Sequence, residues 1–412
     1  MRSHPEWLLF VGAAAFVGLH TVVDTLIVPQ QGTRWNDHLA AALVPLALLS
    51  AAAASYPRLQ PGARAALAAV LGVLSIEGGA LAIADVSRGP GRAADWTGFF
   101  LWPAGLALCG LAMVELRRPS KRSGHRYLRR GSIAVASVLA AFSLVLPVGL
   151  ALYATHRPRA DVAAADLGAP YRTVTVRTSD GLDLAGWYVR SRNGAAVISF
   201  PTRVGKLDQT RMLVRHGYGV LVLDMRGYEG SDGSPNAFGW GATKDIDAGV
   251  AWLRRQLDVQ AGRIGGIGFS VGGEQMLEAA ADNPHLRAVV SEGAGERSVR
   301  ETLMYGWRAA LAVPMSTVKT AALAVLSGTA PPPSLEDVAA RISPRSLLLI
   351  YAGRGAGGED LNAAFYRAAA QPKAIWRIPE ARHVGGLNAR PREYERRVVG
   401  FFDEALLGRK AR

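Results

Sequence analysis

The sequence has a single cysteine, Cys109, and acidic residues are few compared with basic ones. One cysteine excludes an intrachain disulfide but leaves the compartment open, since an extracytoplasmic domain can fold without disulfides. The 33 Asp and Glu face 47 Lys and Arg, which gives a formal net charge of +14. Such an excess suits nucleic acid or a membrane surface. Because no nucleic-acid-binding motif is present and the densest basic cluster borders an apolar run, we expect a lipid bilayer as partner and no nucleic acid.

Composition divides the chain into two parts near residue 155. Residues 1–154 consist of long runs rich in Ala, Leu, Val and Gly, whereas residues 155–412 have the mixed polar and apolar texture of a soluble domain. A chain of this length usually contains more than one domain. We therefore predict a polytopic helical membrane domain over 1–154 and a soluble domain over 155–412.

Apolar stretches in the first part are close to the roughly 20 helical residues needed to cross a bilayer. Five such stretches predict about five transmembrane spans, at 7–28, 38–56, 65–86, 96–116 and 132–154. The second stretch is the shortest. The first lies where a signal peptide would, but its apolar length is greater and more spans follow, so we interpret it as a retained helix.

The basic residues of the short loops predict the orientation of these spans, because Lys and Arg favour the cytoplasmic side. The N-terminus and the loops on the same side of the membrane contain Arg2, Arg58, Arg64, Arg117, Arg118, Lys121, Arg122, Arg126, Arg129 and Arg130. The opposite side contains only Arg34, Arg88 and Arg92. We expect a multi-pass protein of the cell membrane with a cytoplasmic N-terminus and an extracytoplasmic C-terminal domain.

Three ionisable residues lie within the predicted spans: His20, Asp24 and Glu77. His20 and Asp24 are four residues apart and so share a helix face. Buried charges in a bilayer often mark metal or proton sites. A hydrogen-bonded packing contact near the interface is the interpretation we favour, and no metal is predicted.

The second part begins with two antiparallel-looking strands and then alternates β-like and helical segments, which predicts an α/β doubly wound domain. Its continuous apolar strands are expected inside a parallel sheet covered on both faces. The predicted strands are 171–177, 183–190, 195–200, 218–224, 263–268, 287–292, 346–352 and 374–378. The predicted helices are 207–216, 242–256, 271–282, 359–370 and 394–407. Residues 295–340, an apolar insertion that contains Pro331-Pro332-Pro333, interrupt this alternation where a lid would fit.

The segment Gly268-Phe269-Ser270-Val271-Gly272 lies between a predicted strand and a predicted helix. A serine in such a turn is held in a strained conformation with its hydroxyl exposed, and small neighbours let the strand and the helix approach closely. The amide of Val271, at the start of the helix, would point at a developing oxyanion. This setting predicts that Ser270 is a nucleophile rather than an idle serine in a glycine-rich turn.

A nucleophilic serine needs a base and an orienting acid, and the order along the chain is expected to be Ser, acid, His. His383 lies between the last predicted strand and the last predicted helix, where the base belongs. For the acid we favour Glu359, which follows strand 346–352, while Asp360 beside it and Glu292 at the end of an earlier strand stay open.

Beyond the serine motif, the segment Asp224-Met225-Arg226-Gly227-Tyr228-Glu229-Gly230-Ser231 resembles the DxRGxGxS segment of the α/β-hydrolase superfamily. Residues 165–408 resemble its bacterial esterase and acyl-peptidase-like members, and the whole arrangement looks like membrane-anchored hydrolases of actinobacteria. The resemblance implies hydrolysis of an ester, thioester or amide through an acyl-serine intermediate, without a cofactor.

The chain departs from this family after the third strand, where many members carry a His-Gly pair. The corresponding residues are Phe200-Pro201-Thr202-Arg203-Val204-Gly205. Proline has no N–H, so the second oxyanion amide is expected from Thr202 or Arg203.

The leading hypothesis is a membrane-tethered serine hydrolase acting on small-molecule or lipid-like acyl substrates. The alternatives are a non-catalytic receptor or scaffold with the same fold, and an accessory domain of a membrane sensor or transporter.

Overall fold

The structure is a computed structural model, and it describes residues 5–27, 39–88, 93–117, 125–156, 162–203, 205, 207–355 and 357–409. The chain folds as two compact units, Met1–Gly149 and Leu150–Arg412. Composition alone placed the division five residues later, between residues 154 and 155.

The first unit is helical. Its helices are α1 (Pro5–Val22), α2 (Leu39–Ser55), α3 (Pro61–Arg88), α4 (Ala93–Gly98), α5 (Leu101–Arg117) and α6 (His125–Ala140), and α7 (Leu146–Thr155) continues into the second unit. Two π-helical stretches, Val23–Ile27 and Ala141–Val145, prolong α1 and join α6 to α7. The core includes Phe10, which stacks on Tyr56 with ring centroids 4.3 Å apart.

Four helical stretches among the described residues are long and apolar enough to cross a membrane: Pro5–Ile27, Pro61–Ala80, Trp96–Arg117 and Leu128–Thr155. They overlap four of the five predicted spans. The remaining predicted span, at 38–56, corresponds to helix α2. The 17 residues of α2 extend only about 25 Å, less than the roughly 30 Å thickness of the hydrocarbon core. The structure therefore supports four candidate spans by length and composition rather than five.

The ionisable residues of these helices are described only in part. His20 lies with its Nδ1 2.9 Å from Thr97 Oγ1, a packing contact between α1 and α4. Asp24 lies in the first π-helical stretch. The Glu77 side chain lies outside the described residues, as does the segment 118–124 with much of the predicted basic loop.

The second unit contains a mixed sheet of eight strands in the order β1-β2-β4-β3-β5-β6-β7-β8. The strands are β1 (Tyr171–Arg177), β2 (Asp183–Val189), β3 (Ala196–Phe200), β4 (Gly219–Leu223), β5 (Ile264–Phe269), β6 (Ala288–Glu292), β7 (Ser346–Arg354) and β8 (Lys373–Arg382). β2 is antiparallel to both β1 and β4, and the remaining pairs are parallel. Most predicted strands agree within two residues, but β8 runs four residues further than predicted.

Helices cover both faces of this sheet. They are α8 (Leu207–Arg215), α9 (Thr243–Leu253), α10 (Val271–Asp282), α11 (Val299–Leu303), α12 (Ala309–Ser327), α13 (Leu335–Ala339), α14 (Asn362–Ala368), α15 (Gly386–Ala389) and α16 (Pro391–Leu407). Separate apolar cores fill the two sides. Every residue of β3, β4, β5 and β6 is buried, as expected of strands that read as continuous apolar runs.

The insertion predicted at 295–340 lies between β6 and β7 and is helical, with α11, α12 and α13 in it. Leu323 of the apolar α12 packs with Trp240, Ala151 and Ala154. Trp307 and Val325, near the two ends of α12, are 79% and 83% exposed. The sequence could not predict this arrangement because apolar residues occur all around α12 and mark no single buried face.

Candidate active site

Ser270 lies at the turn between β5 and α10, and its backbone is strained. Its φ of 53° and ψ of −122° are rare for a residue with a side chain. A Cβ at Gly268 would lie 2.2 Å from the carbonyl oxygen of Gly272, and a Cβ at Gly272 would lie 2.6 Å from that of Phe200. The two glycines thus let β5, α10 and the end of β3 meet closely enough to form the turn.

The side chains of Ser270, His383 and Glu359 form one chain of hydrogen bonds. Ser270 Oγ lies 2.8 Å from His383 Nε2, and His383 Nδ1 lies 2.6 Å from Glu359 Oε1. A carboxylate at Nδ1 favours the tautomer with hydrogen on that nitrogen, which leaves Nε2 to accept the serine proton. The imidazole is 43% exposed while the Glu359 side chain is only 2% exposed, so the acid is fixed and the base remains accessible.

His383 follows directly on β8, in a loop whose backbone is also strained. Val384 has a φ of 50°, an outlier for a β-branched residue, and its side chain is buried in one of the sheet cores. A Cβ at Gly293 would lie 3.3 Å from His383 Cε1, so this glycine leaves space for the ring. The chain has another histidine after Ser270, His285, which is exposed beyond the far end of α10, about 18 Å along the helix.

The three candidate acids have different surroundings. Glu359 Oε2 accepts the Ala352 N–H at 2.8 Å, which fixes the carboxylate while Oε1 faces the imidazole. Asp360 instead lies 3.5 Å from Tyr305 Oη. Glu292 is buried and accepts the Gly386 N–H at 2.8 Å and the Tyr394 hydroxyl at 2.6 Å. Of the three, Glu359 is the one that the fold brings to His383.

The loop after β3 carries the residues predicted to complete an oxyanion hole. Arg203 donates its backbone N–H to Asp224 Oδ1 at 2.6 Å and its side-chain Nε–H to Asp224 Oδ2 at 2.7 Å. The Arg203 amide is therefore engaged with a buried carboxylate and does not suit an oxyanion. Val271 is the first residue of α10, where backbone N–H groups have no partner within the helix. Thr202 and Val271 remain the predicted pair of donors.

Sequence reasoning missed one buried carboxyl next to this turn. Glu274 is in the first turn of α10, and burial raises the pKa of its carboxyl to about 8, although the nearby Arg297 acts in the opposite direction. Its Oε1 lies 3.4 Å from the Gly295 N–H, at the start of the insertion. Its position four residues after Ser270 was the only sequence signal.

The strand order, the strained serine and its hydrogen-bonded histidine define a serine hydrolase of the α/β-hydrolase superfamily. Residues 153–377 match the family described as X-Pro dipeptidyl-peptidase (S15 family). This match covers more than half of the chain, so the protein belongs to that family. It is a hydrolase of the esterase or peptidase type.

The chain is also similar to individual proteins. An uncharacterized protein of Mycobacterium tuberculosis is 30% identical over 224 residues, covering 52% of this chain and 72% of that protein. The alpha/beta hydrolase domain-containing protein WAV2 of Arabidopsis thaliana is 28% identical over 131 residues, covering 30% of this chain and 42% of that protein. A Pyrococcus furiosus esterase structure superposes with a TM-score of 0.50 at 23% identity, covering 60% of this chain and 97% of the esterase, a likeness of fold.

Proposed function

We propose that this protein is a membrane-tethered serine hydrolase that cleaves an ester, thioester or amide through an acyl-serine intermediate. The observation that carries the proposal is the chain from Ser270 through His383 to the buried Glu359. A serine alone in a tight turn needs no imidazole partner, and an exposed histidine needs no buried acid. The three together match the requirement for an activated nucleophile.

In the proposed reaction, His383 Nε2 removes the proton of Ser270 Oγ as the oxygen attacks the substrate carbonyl. The bond from Oγ to the carbonyl carbon forms, and the carbonyl π electrons move to its oxygen, which the amides of Val271 and Thr202 stabilise. The intermediate then collapses, the bond to the leaving group breaks, and imidazolium gives its proton to that group. Water, activated by the same imidazole, hydrolyses the acyl-serine and restores the hydroxyl.

Support for Thr202 as a donor comes from the packing around the turn. Gly272 lies against Phe200 O and Pro201 Cδ, so the loop after β3 runs beside the start of α10. Val271 immediately precedes Gly272, and Thr202 immediately follows Pro201. Removing one oxyanion donor typically lowers the rate by about 10²–10³-fold, so this loop is a sensitive part of the proposal.

The membrane part of the proposal depends on the four candidate spans. The basic loops favour a last crossing directed outward, which places the hydrolase unit outside the cytoplasm. If α2 crosses the membrane, the chain has five spans and Met1 is cytoplasmic. If α2 does not cross, four spans remain and Met1 lies outside, while the location of the hydrolase unit is unchanged.

Labelling with a fluorophosphonate probe tests the nucleophile. The full-length wild type is expected to be labelled and the Ser270→Ala variant is not. Ser346→Ala is the matched control, since Ser346 lies at the opposite end of the parallel strands, at the start of β7. Equal labelling of wild type and Ser270→Ala would reject Ser270 as the nucleophile. Turnover of p-nitrophenyl esters and of an X-Pro p-nitroanilide then distinguishes esterase from dipeptidyl-peptidase activity.

A further inference from the structure

A cationic cavity lies in the first unit, apart from the residues of the hydrolase site. It has a volume of about 550 Å³, and residues of a helical turn, of the start of α3 and of α6 line it. Three of the lining residues are arginines: Arg58, Arg129 and Arg130. Among the described residues of the lining none is acidic, and three guanidinium groups therefore meet at one space.

The turn that presents Arg58 is held in place by its neighbours. Arg64 donates hydrogen bonds to the carbonyl oxygens of Tyr56 and Pro57, and its Nη1 lies 3.8 Å from the buried Glu115. Arg64 is thus engaged within the protein and is not a lining residue. Tyr56 is buried and stacks on Phe10. Arg58 therefore projects from a constrained turn rather than from a free loop.

The opposite wall is held by close helix packing. A Cβ at Gly62 would lie 3.4 Å from Arg130 Cγ, so the aliphatic stem of Arg130 runs over the first turn of α3. This approach brings Arg129 and Arg130 of α6 to the same space as Arg58. Guanidinium groups suit phosphate because their planar donors match its oxygens.

Apolar surface adjoins these charges. Ile133 lines the cavity and is 41% exposed. Ile133 is three residues after Arg130 and four after Arg129, so it shares their face of α6. A free phosphate has no apolar part that could bury this surface. A molecule with an anionic phosphate head and a hydrocarbon tail satisfies both the arginines and the apolar wall.

We propose that this cavity binds the phosphate headgroup of an anionic phospholipid. The inference rests on the proposed membrane embedding, in which Arg58, Arg129 and Arg130 lie at the cytoplasmic surface. Basic pockets between membrane helices on that side recognise anionic headgroups, and each nearby Arg or Lys favours anionic lipid. The bound lipid would join the α2–α3 turn to α6.

Native mass spectrometry of the detergent-solubilised full-length protein tests the proposal, with dioleoyl-phosphatidylglycerol and dioleoyl-phosphatidylcholine as probes. Wild type is expected to bind phosphatidylglycerol at least tenfold more tightly than phosphatidylcholine. The Arg58→Gln/Arg129→Gln double variant is expected to lose at least tenfold in phosphatidylglycerol affinity. Arg129→Gln is compared with Arg117→Gln, which removes one exposed charge from the end of α5 and does not touch the cavity. Arg117→Gln is expected to change the affinity less than twofold.

Equal binding of the two lipids, or wild-type affinity in the double variant, would overturn the assignment. Displacement of the lipid by 10 mM inorganic phosphate would assign the cavity to free phosphate and also overturn it. Thermal midpoints measured without added lipid establish that the variants are folded. Fluorophosphonate labelling and extraction of membranes with alkaline carbonate are scored separately on the wild type, so failure of the hydrolase or membrane proposal is distinguishable from failure of this one.

Discussion

Replacing Glu359 by Gln removes the negative charge beside His383 with little change in size. The native carboxylate uses both oxygens as acceptors, Oε1 for His383 Nδ1 at 2.6 Å and Oε2 for the Ala352 N–H at 2.8 Å. Glutamine has one acceptor and one donor in these places. If its oxygen faces His383, its NH₂ meets the Ala352 N–H. If its NH₂ faces His383, Nδ1 must accept, and the hydrogen moves to Nε2.

Both arrangements impair catalysis. The second places a hydrogen on the nitrogen that must accept the Ser270 proton, which is the wrong tautomer for a base. The first sets two donors against each other at 2.8 Å and leaves a neutral group beside the developing imidazolium. The corresponding change in a Ser-His-Asp triad lowers kcat about 10⁴-fold. We therefore expect a loss of about 10³–10⁴-fold in kcat, or about 4–5.5 kcal/mol of transition-state stabilisation.

The assay is steady-state hydrolysis of a p-nitrophenyl ester by full-length protein, normalised to the concentration of folded protein. Asp360→Asn is the matched control, since its neighbour Tyr305 Oη is 3.5 Å away, and we expect kcat within about threefold of wild type. Glu292→Gln disrupts the bonds to Gly386 and Tyr394 and is expected to lower the thermal midpoint more than Asp360→Asn does. If Glu359→Gln retains kcat within tenfold while Asp360→Asn or Glu292→Gln abolishes it at unchanged stability, the assignment of the acid is wrong.

Three further predictions concern the nucleophile, a buried carboxyl and the topology. Ser270→Ala and His383→Ala are each expected to abolish ester turnover, and the double variant to lose no more than either alone, because the two act as a unit; additive losses would contradict this. The folded state holds a proton on Glu274 up to about pH 8, whereas the unfolded chain releases it near pH 4.5. The free energy of unfolding should therefore fall as the pH rises between these values, by about 4–5 kcal/mol in total. Chemical denaturation at pH 5 and pH 9 measures this change in the free energy of unfolding, and the change should be smaller in Glu274→Gln than in wild type. An equal change in both proteins would refute the prediction. A C-terminal alkaline phosphatase fusion in bacterial cells should be active and a green fluorescent protein fusion dark; the reverse would place the hydrolase unit in the cytoplasm.

Local patterns in the sequence were enough for the order of elements in the second unit and for the position of Ser270. Continuous apolar runs such as Val220 to Leu223 predicted central strands because a parallel sheet is covered on both faces. The two glycines around Ser270 and the following helix predicted the turn, since that turn depends on neighbours in the chain. The apolar stretches of the first unit likewise predicted helices, although α2 proved shorter than a span.

Contacts between distant segments could only come from the tertiary structure. Glu359 and Asp360 are adjacent in sequence, and the 3₁₀ turn Glu359–Leu361 directs one carboxylate to His383, 24 residues away, and the other towards Tyr305. The engagement of the Arg203 amide with Asp224 depends on the meeting of two strand ends 21 residues apart. The cavity with Arg58, Arg129 and Arg130 forms where the stem of Arg130 on α6 packs over the start of α3, far away in sequence. Sequence patterns record which residues are buried or lie in turns, but the pairing of side chains across the fold depends on packing distances of a few ångströms that no local pattern encodes.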